Sequence, residues 1–235
     1  MPHFHEEVSA VEERRLLEFL AALRTPCEAT VNPESSLVDD DFESEFRSKL
    51  LTHHCFIGSP LFQESFDSAF AAAARESGHN VTPATTGQRF WDLTVDGRSV
   101  SLKSTKAKNL RHDTLHISKL TEAAWIQDCR SAKKRRDETL ALFDSYCEQV
   151  DAIIQLRFFR DQHIYELVEI PTLLFQQIKN VSRTHFAADG PTINIPIGAN
   201  PPDFTLKLDR SDAKVTIANI NKKLCTVHAV WTLGN

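Results

Sequence analysis

Asp92, Ser101 and Lys103 are the residues from which a chemistry can be read. They lie in the stretch FWDLTVDGRSVSLKST, residues 90–105. Trp91, Leu93 and Val95 alternate with Asp92 and Thr94, and Val100 and Leu102 alternate with Ser101 and Lys103. Alternation with period two predicts two strands. It puts Asp92 and Thr94 on one face of the first, and Ser101 and Lys103 on one face of the second. Asp96-Gly97 predicts the tight turn between them, because glycine accepts positive φ at no steric cost. Pairing in register would set a carboxylate against an ammonium across neighbouring strands. A carboxylate that holds a hard cation, beside a lysine facing a phosphate or its attacking water, suits metal-assisted phosphodiester chemistry.

Other elements must hold this hairpin in place. Residues 8–24 read as a helix, with Val11, Leu16, Leu17, Phe19, Leu20 and Leu23 as its broad apolar face. A loop is expected around Asn32-Pro33 and residues 39–41, then a short helix over 42–52. Ser59-Pro60 has the form of a helix start, a capping hydroxyl followed by proline at the first helical position. The buried stripe of that helix includes Leu61, Phe66, Phe70 and Ala73, Gly78 ends it, and Glu64 lies off the stripe. After the hairpin, residues 110–117 predict a third strand. Ser118 predicts the cap of a long helix over 119–149, with Glu122 in its first turn, where the helix dipole favours an acid. Residues 151–159 and 164–170 are predicted strands, and Pro171 opens a short helix. The tail from Val181 is rich in proline, with strands expected over 204–208, 214–220 and 225–233. Asn219, Asn221, Lys222 and Lys223 fall in an expected hairpin turn.

Composition bounds the reading. The 235 residues are 41% hydrophobic and 25% charged, ordinary for a globular protein. A formal net charge of -5 does not by itself mark a nucleic-acid binder. Charge is nevertheless unevenly placed: residues 103–111 carry Lys103, Lys106, Lys108 and Arg111 without an acid. Residues 133–136 form a second basic cluster, expected as a solvated helix face. No apolar run approaches the ~18 residues of a membrane span, so no membrane partner is expected. The first residues are acidic and lack an apolar signal core, which points to the cytoplasm. Five scattered cysteines without a CxxC pair are expected as free thiols.

The order helix, three strands, long helix, strand, strand, taken with Asp92 and Ser101-Leu102-Lys103, resembles the PD-(D/E)xK nuclease superfamily. That superfamily includes most type II restriction endonucleases. The resemblance covers about residues 59–170 and implies an α+β fold with an αβββαβ core. It divides the chain into an N-terminal helical segment (1–58), the catalytic core (59–180) and a β-rich elaboration (181–235) packed on the core as one domain. This sequence departs from the family pattern at Trp91, which replaces a proline, and at Ser101, which replaces the second acid. A subgroup of restriction enzymes carries Ser-x-Lys and takes that acid from the following helix, which makes Glu122 the candidate. An extra acid on the helix before the catalytic strands is also common, and there Glu64 is the match.

The resemblance implies a Mg²⁺-dependent, sequence-specific double-strand DNA endonuclease that works as a homodimer beside a cognate DNA methyltransferase. Asp92 with Glu122 or Glu64 would hold the metal, and Lys103 would serve the attacking water and the phosphate. Ser101 could hydrogen-bond a water there without replacing a carboxylate's charge. Lys106, Lys108, Arg111 and His112 are candidate DNA contacts near the site. Asn219, Asn221, Lys222 and Lys223 are candidate base readers, since Asn suits adenine and Lys guanine. Two other readings stand beside this one: a monomeric nicking endonuclease of the mismatch-repair type, and a DNA-binding module whose nuclease site has decayed.

Overall fold

The computed structural model describes residues 8–105, 107–188 and 190–234. Helices α1 (Ala10–Leu23) and α2 (Asp40–Ile57) begin where their caps dictate. The Ser9 hydroxyl accepts the Glu12 N–H while the Glu12 carboxylate takes the Ser9 N–H, a capping box. Asp39 Oδ1 accepts the Phe42 N–H at 2.7 Å, and Gly58 ends α2 in the left-handed region. Between them lies strand β1 (Cys27–Val31), where a loop was expected.

Ser59-Pro60 does not open a helix. Helix α3 runs over Glu64–Glu76. The reason is tertiary: the Tyr165 hydroxyl accepts the Leu61 N–H at 2.8 Å, and Ser104 Oγ accepts the Gln63 N–H at 2.7 Å. Those two bonds claim the backbone outside a helix, and α3 starts only after Gln63, whose φ is 51°. Strands β2 (Val81–Pro83), β3 (Leu93–Val95) and β4 (Arg98–Ser104) then form an antiparallel meander. Asp96 and Gly97 have φ of 51° and 83°, the two positive values that a two-residue type I′ turn needs.

The third predicted strand is real but belongs elsewhere. Strand β5 (Thr114–Glu122) leaves the sheet of β4, and the predicted helix start at Ser118 lies inside it. A β-bulge explains the misreading. Ile117 pairs with Ile217 and Thr121 with Val215, so four steps on β5 oppose two on its partner. The bulge breaks the period-two pattern at Ser118-Lys119. A single-turn helix α4 (Trp125–Asp128) follows, then helix α5 (Ala132–Gln149), capped by Ser131. From α5 the chain enters β6 (Ala152–Phe159), which pairs parallel with β4. The order α3, β2, β3, β4, α5, β6 is the expected helix, three strands, helix, strand, with β2 in place of β5.

The rest of the chain builds both sheets outward. Strand β7 (Ile164–Pro171) pairs with β6. Strands β8 (Thr192–Ile197), β9 (Phe204–Asp209) and β10 (Lys214–Asn221) join β5 in a four-stranded sheet ordered β5-β10-β9-β8. Strand β8 was not expected, because Pro196 argues against a strand interior. It is an edge strand, where a missing N–H is tolerated, and Ile193, Ile195 and Ile197 are its buried face. Strand β11 (Thr226–Leu233) crosses back to the seven-stranded sheet, ordered β1-β11-β7-β6-β4-β3-β2. Residues 219–223 are therefore not a hairpin turn: Asn219 and Asn221 belong to the end of β10, and Lys222 and Lys223 begin the passage to the other sheet.

The large sheet has two buried faces. Val100, Leu102, Ile154 and Leu156 pack with the phenylalanines of α2 and α3. Ile153, Val168 and Ile170 pack with α5 and the smaller sheet. By alternation Ser101 and Lys103 project to the second face, toward the gap between the sheets. The basic cluster of α5 is not wholly a solvated face. Arg135 is buried and donates to the carbonyls of Cys129, Arg130, Phe186 and Ala188, and Arg136 donates to Val181.

A buried ionic group ties the two sheets together. Arg157 on β6 donates to Glu166 on β7 at 2.5 Å and to the carbonyls of Arg111 and Thr114 ahead of β5. Lys222 reaches the other oxygen of Glu166. Removing one partner strands a buried charge, so Glu166→Ala should lower unfolding free energy by about 3–5 kcal/mol. Urea denaturation measures this, and a loss under about 1 kcal/mol, the scale of an exposed pair, would refute the account.

Candidate active site

The site is a notch in the large sheet. Strand β3 pairs with β4 only over Arg98–Val100, so β4 from Ser101 onward has β6 on one side and no strand on the other. Asp92 sits at the foot of the notch, just before β3. Its N–H donates to the Val100 carbonyl at 2.8 Å, and its own carbonyl accepts the Ala84 N–H. Its carboxylate does what a missing strand would have done: Oδ2 accepts the Leu102 N–H at 2.6 Å. Ser101 Oγ lies 3.5 Å from the same oxygen, and Lys103 Nζ lies 3.9 Å from it. The predicted meeting of carboxylate and ammonium is thus present, at a contact too long for a tight ion pair.

The Lys103 ammonium is largely buried. Burial lowers its pKa below the ordinary lysine value, an effect opposed by Asp92 and Asp67 and reinforced by Lys119. Asp67, on α3 one turn after Glu64, is the acid that sequence reasoning missed. Burial first, then the charges of Asp92 and Glu64, push its carboxyl up to about 6, with Lys103 acting the other way. The available signal was the spacing, since residues three apart on a helix share a face. Glu64 itself is the exposed first residue of α3.

Glu122 is not in a helix; it ends β5 and its side chain is 77% exposed. Its carboxylate takes Lys119 Nζ at 2.6 Å, which holds its pKa below the ordinary range. Arg89 donates to the Glu122 carbonyl at 2.8 Å. Arg89, Lys103, Lys119 and Glu122 line one cleft of about 480 Å³. The cleft therefore carries three cations against one exposed acid, which suits a phosphodiester backbone. Arg89 and Lys119 were not singled out in the sequence.

The remaining candidate contacts fall in two places. Lys106 lies outside the described residues. Lys108 and Arg111 are exposed on the segment between β4 and β5. His112 stacks flat on Phe159, with ring centroids 4.4 Å apart. His112, Asn219, Asn221, Lys222 and Lys223 line a second cleft of about 780 Å³. Within it the Lys222 ammonium is already engaged by Glu166, and Asn221 Oδ1 accepts the Lys223 N–H, whereas Asn219 is exposed with φ of 52°. Among the described residues no three His, Cys, Asp or Glu side chains gather at metal-ligand spacing. No helix of the described residues is long and apolar enough to cross a membrane.

A mixed α/β fold with an acid and a lysine at an open sheet edge, beside a basic cleft, describes a class of protein that could act on a phosphodiester. The family is shown by comparison. The SmaI family of type II site-specific deoxyribonucleases matches residues 14–233, and the chain belongs to it. It is a sequence-specific DNA endonuclease, a phosphodiester hydrolase whose substrate is DNA. The type II restriction enzyme SmaI of Serratia marcescens is 29% identical over 209 residues, covering 83% of this chain and 81% of that protein. No solved structure matches the chain.

Proposed function

We propose that the chain is a Mg²⁺-dependent type II restriction endonuclease of the PD-(D/E)xK superfamily, a Ser-x-Lys variant that cuts both strands of DNA. The observation that carries this reading is the notch: Asp92, Ser101 and Lys103 meet where β4 has lost its neighbour, with Asp67 of α3 in electrostatic range of Asp92 and Lys103. The donors are hard carboxylate oxygens, which suit Mg²⁺. That ion is commonly held by one or two carboxylates together with waters and substrate phosphates, so a full protein cage is not required. Asp92 and Asp67 would hold it, with Glu64 in support and Glu122 as the rival acid across the cleft. Bound there, a divalent cation supplies positive charge to the phosphoryl oxygens. Lys103 orients the attacking water and faces the scissile phosphate. Arg89 and Lys119 hold the flanking backbone. The exposed Lys108 and Arg111 extend that track, and the cleft lined by Asn219 would supply base contacts.

Digestion of supercoiled plasmid with and without Mg²⁺, followed by end-sequencing, tests this reading. Linear product with one recurrent end sequence is expected. Nicked circles alone would favour the nicking reading, and binding without cutting would favour a decayed site.

The wider reading is a homodimer acting in the cytoplasm beside a cognate methyltransferase. Support for a reducing compartment is the free state of Cys27, Cys55, Cys129, Cys147 and Cys225. Support for one domain is that β1 of the N-terminal segment and β11 of the tail both join the sheet of the core. For the dimer there is a candidate surface. Of the eleven exposed large apolar side chains among the described residues, nine fall on residues 8–23 and 56–57, with Phe19 stacked on Phe56. Patches of this kind mark interfaces, and a two-fold dimer suits a two-fold DNA site. Leu17→Glu should weaken the dimer by about 2 kcal/mol, roughly 30-fold in Kd. Sedimentation would show this, and an unshifted monomer–dimer equilibrium would remove α1 from the interface.

A further inference from the structure

Tyr146 projects from α5 into the floor of the notch. Its side chain is wholly buried, with its ring edge-on to Phe90 at 5.3 Å and tilted against Phe175 at 6.3 Å. Its hydroxyl is a near neighbour of Ser101 and feels the charge of Asp92. Yet no hydrogen bond of ordinary length and angle reaches that hydroxyl among the described residues, although Ser101 is close enough to act on it. A buried hydroxyl left unpaired costs about 1–3 kcal/mol, and such a group in a native fold calls for an explanation.

Ser101 is equally buried, and its Oγ is the atom next in line. Its contact with Asp92 Oδ2 is long at 3.5 Å, while Oδ2 is otherwise taken by the Leu102 N–H. A serine oxygen can accept one hydrogen bond while donating another. Hydrogen bonds of catalytic groups are often long in the free enzyme and tighten when the substrate binds.

We propose that Tyr146 is a positioning residue: once cation and DNA are bound, its hydroxyl donates to Ser101 Oγ, which donates to Asp92 Oδ2, and the carboxylate is held with Oδ1 turned toward cation and DNA. The relay gives Ser101 a task that an ionised carboxylate could not perform, since a carboxylate accepts hydrogen bonds but has no proton to donate to Asp92. It rests on the reading of Asp92 as the metal carboxylate.

The test compares wild type, Tyr146→Phe, Ser101→Ala, their double variant and Asp92→Ala. Two quantities are read: the Mg²⁺ concentration for half-maximal cleavage, and the shift of the unfolding midpoint produced by Ca²⁺. Groups that orient a metal ligand change metal affinity by about 10–100-fold when removed. Tyr146→Phe and Ser101→Ala should each raise the Mg²⁺ requirement by about tenfold, and the double variant should match Ser101→Ala alone. In EDTA, Tyr146→Phe should unfold no earlier than wild type, because the group removed is unpaired, while its Ca²⁺ shift shrinks. An unchanged metal requirement, or two effects that multiply, overturns the relay. So does an earlier unfolding in EDTA with an unchanged Ca²⁺ shift, which would make the hydroxyl merely structural. If Asp92→Ala cuts normally, it is the reading of the site that fails instead.

Discussion

Lys103→Ala protein should bind DNA and fail to cut it. The side chain is held at the edge of β4 with only 23% exposure, its ammonium 3.9 Å from Asp92 Oδ2. A cation so placed can serve a phosphate that descends into the notch, but it contributes little to the outer track of basic residues. Loss of a positioned group that handles a proton or developing charge costs roughly 10²–10⁴-fold in rate. Binding, by contrast, loses about one phosphate contact among several, which weakens affinity modestly and reduces its salt dependence. Single-turnover cleavage with enzyme in excess isolates the first effect, and gel shift in Ca²⁺ isolates the second. Cleavage within a few-fold of wild type would remove Lys103 from the chemistry. Lost cutting together with lost binding would make it a DNA anchor.

The second large effect is expected at Asp67, not at Glu122. Asp67→Asn should lower cleavage by about 10²-fold, the scale of losing one group that holds or orients a metal, while Glu122→Ala costs less than tenfold. Asp67 feels Asp92, Lys103 and Glu64, whereas Glu122 answers to Lys119 and Arg89. Charge repulsion among the acids of α3 and Asp92 is what a divalent cation relieves.

A stability measurement reports the burial of the same acid, and the repulsion added to it, without any cutting. The folded Asp67 carboxyl titrates at about 6 against 3.8 ordinarily, so the folded state holds its proton more tightly than the unfolded chain does. Stability from this group is therefore fully present below the ordinary aspartate range and is lost as pH rises to about 6. Without metal, Asp67→Asn should unfold at a higher temperature than wild type above that pH, and no gap should remain in strong acid. Divalent cation should close the gap at high pH by stabilising wild type alone. A Glu122→Ala protein that is dead beside an active Asp67→Asn protein would return the second carboxylate to the end of β5.

Much of the notch was legible in the chain. The alternation around Lys103 placed it on its strand face, Asp92 fell one residue before β3 and not inside it, and Asp96-Gly97 specified a turn whose backbone angles are those found. The run of residues 151–159 announced a strand buried on both faces, as β6 is. These features depend on neighbours two to four residues apart, which a sequence displays directly. Pairing partners do not. The alternation of Leu115 and Ile117 predicted a strand, yet nothing local said that it would join β10 in a second sheet, nor that a bulge would carry it through Ser118 to Glu122. Asn219 to Lys223 looked like a hairpin turn because the strands on either side are consecutive, but those strands lie in different sheets.

The same distinction governs the acids. Glu122 was assigned to a helix on a capping signal that the bulge overrode. Asp67 was passed over because its approach to Asp92 depends on where α3 begins. That start is set by Tyr165, 104 residues beyond Leu61, and by Ser104, 41 beyond Gln63, which claim N–H groups a local helix would have used. The sequence by itself determined which strand face Lys103 would occupy, because side-chain direction follows from the period of a strand. Only the tertiary structure decided which further acid comes near Lys103 and Asp92 and that β4 stands open beside them. Those depend on strand length, sheet membership and long-range hydrogen bonds, none of which is encoded by spacing along the chain.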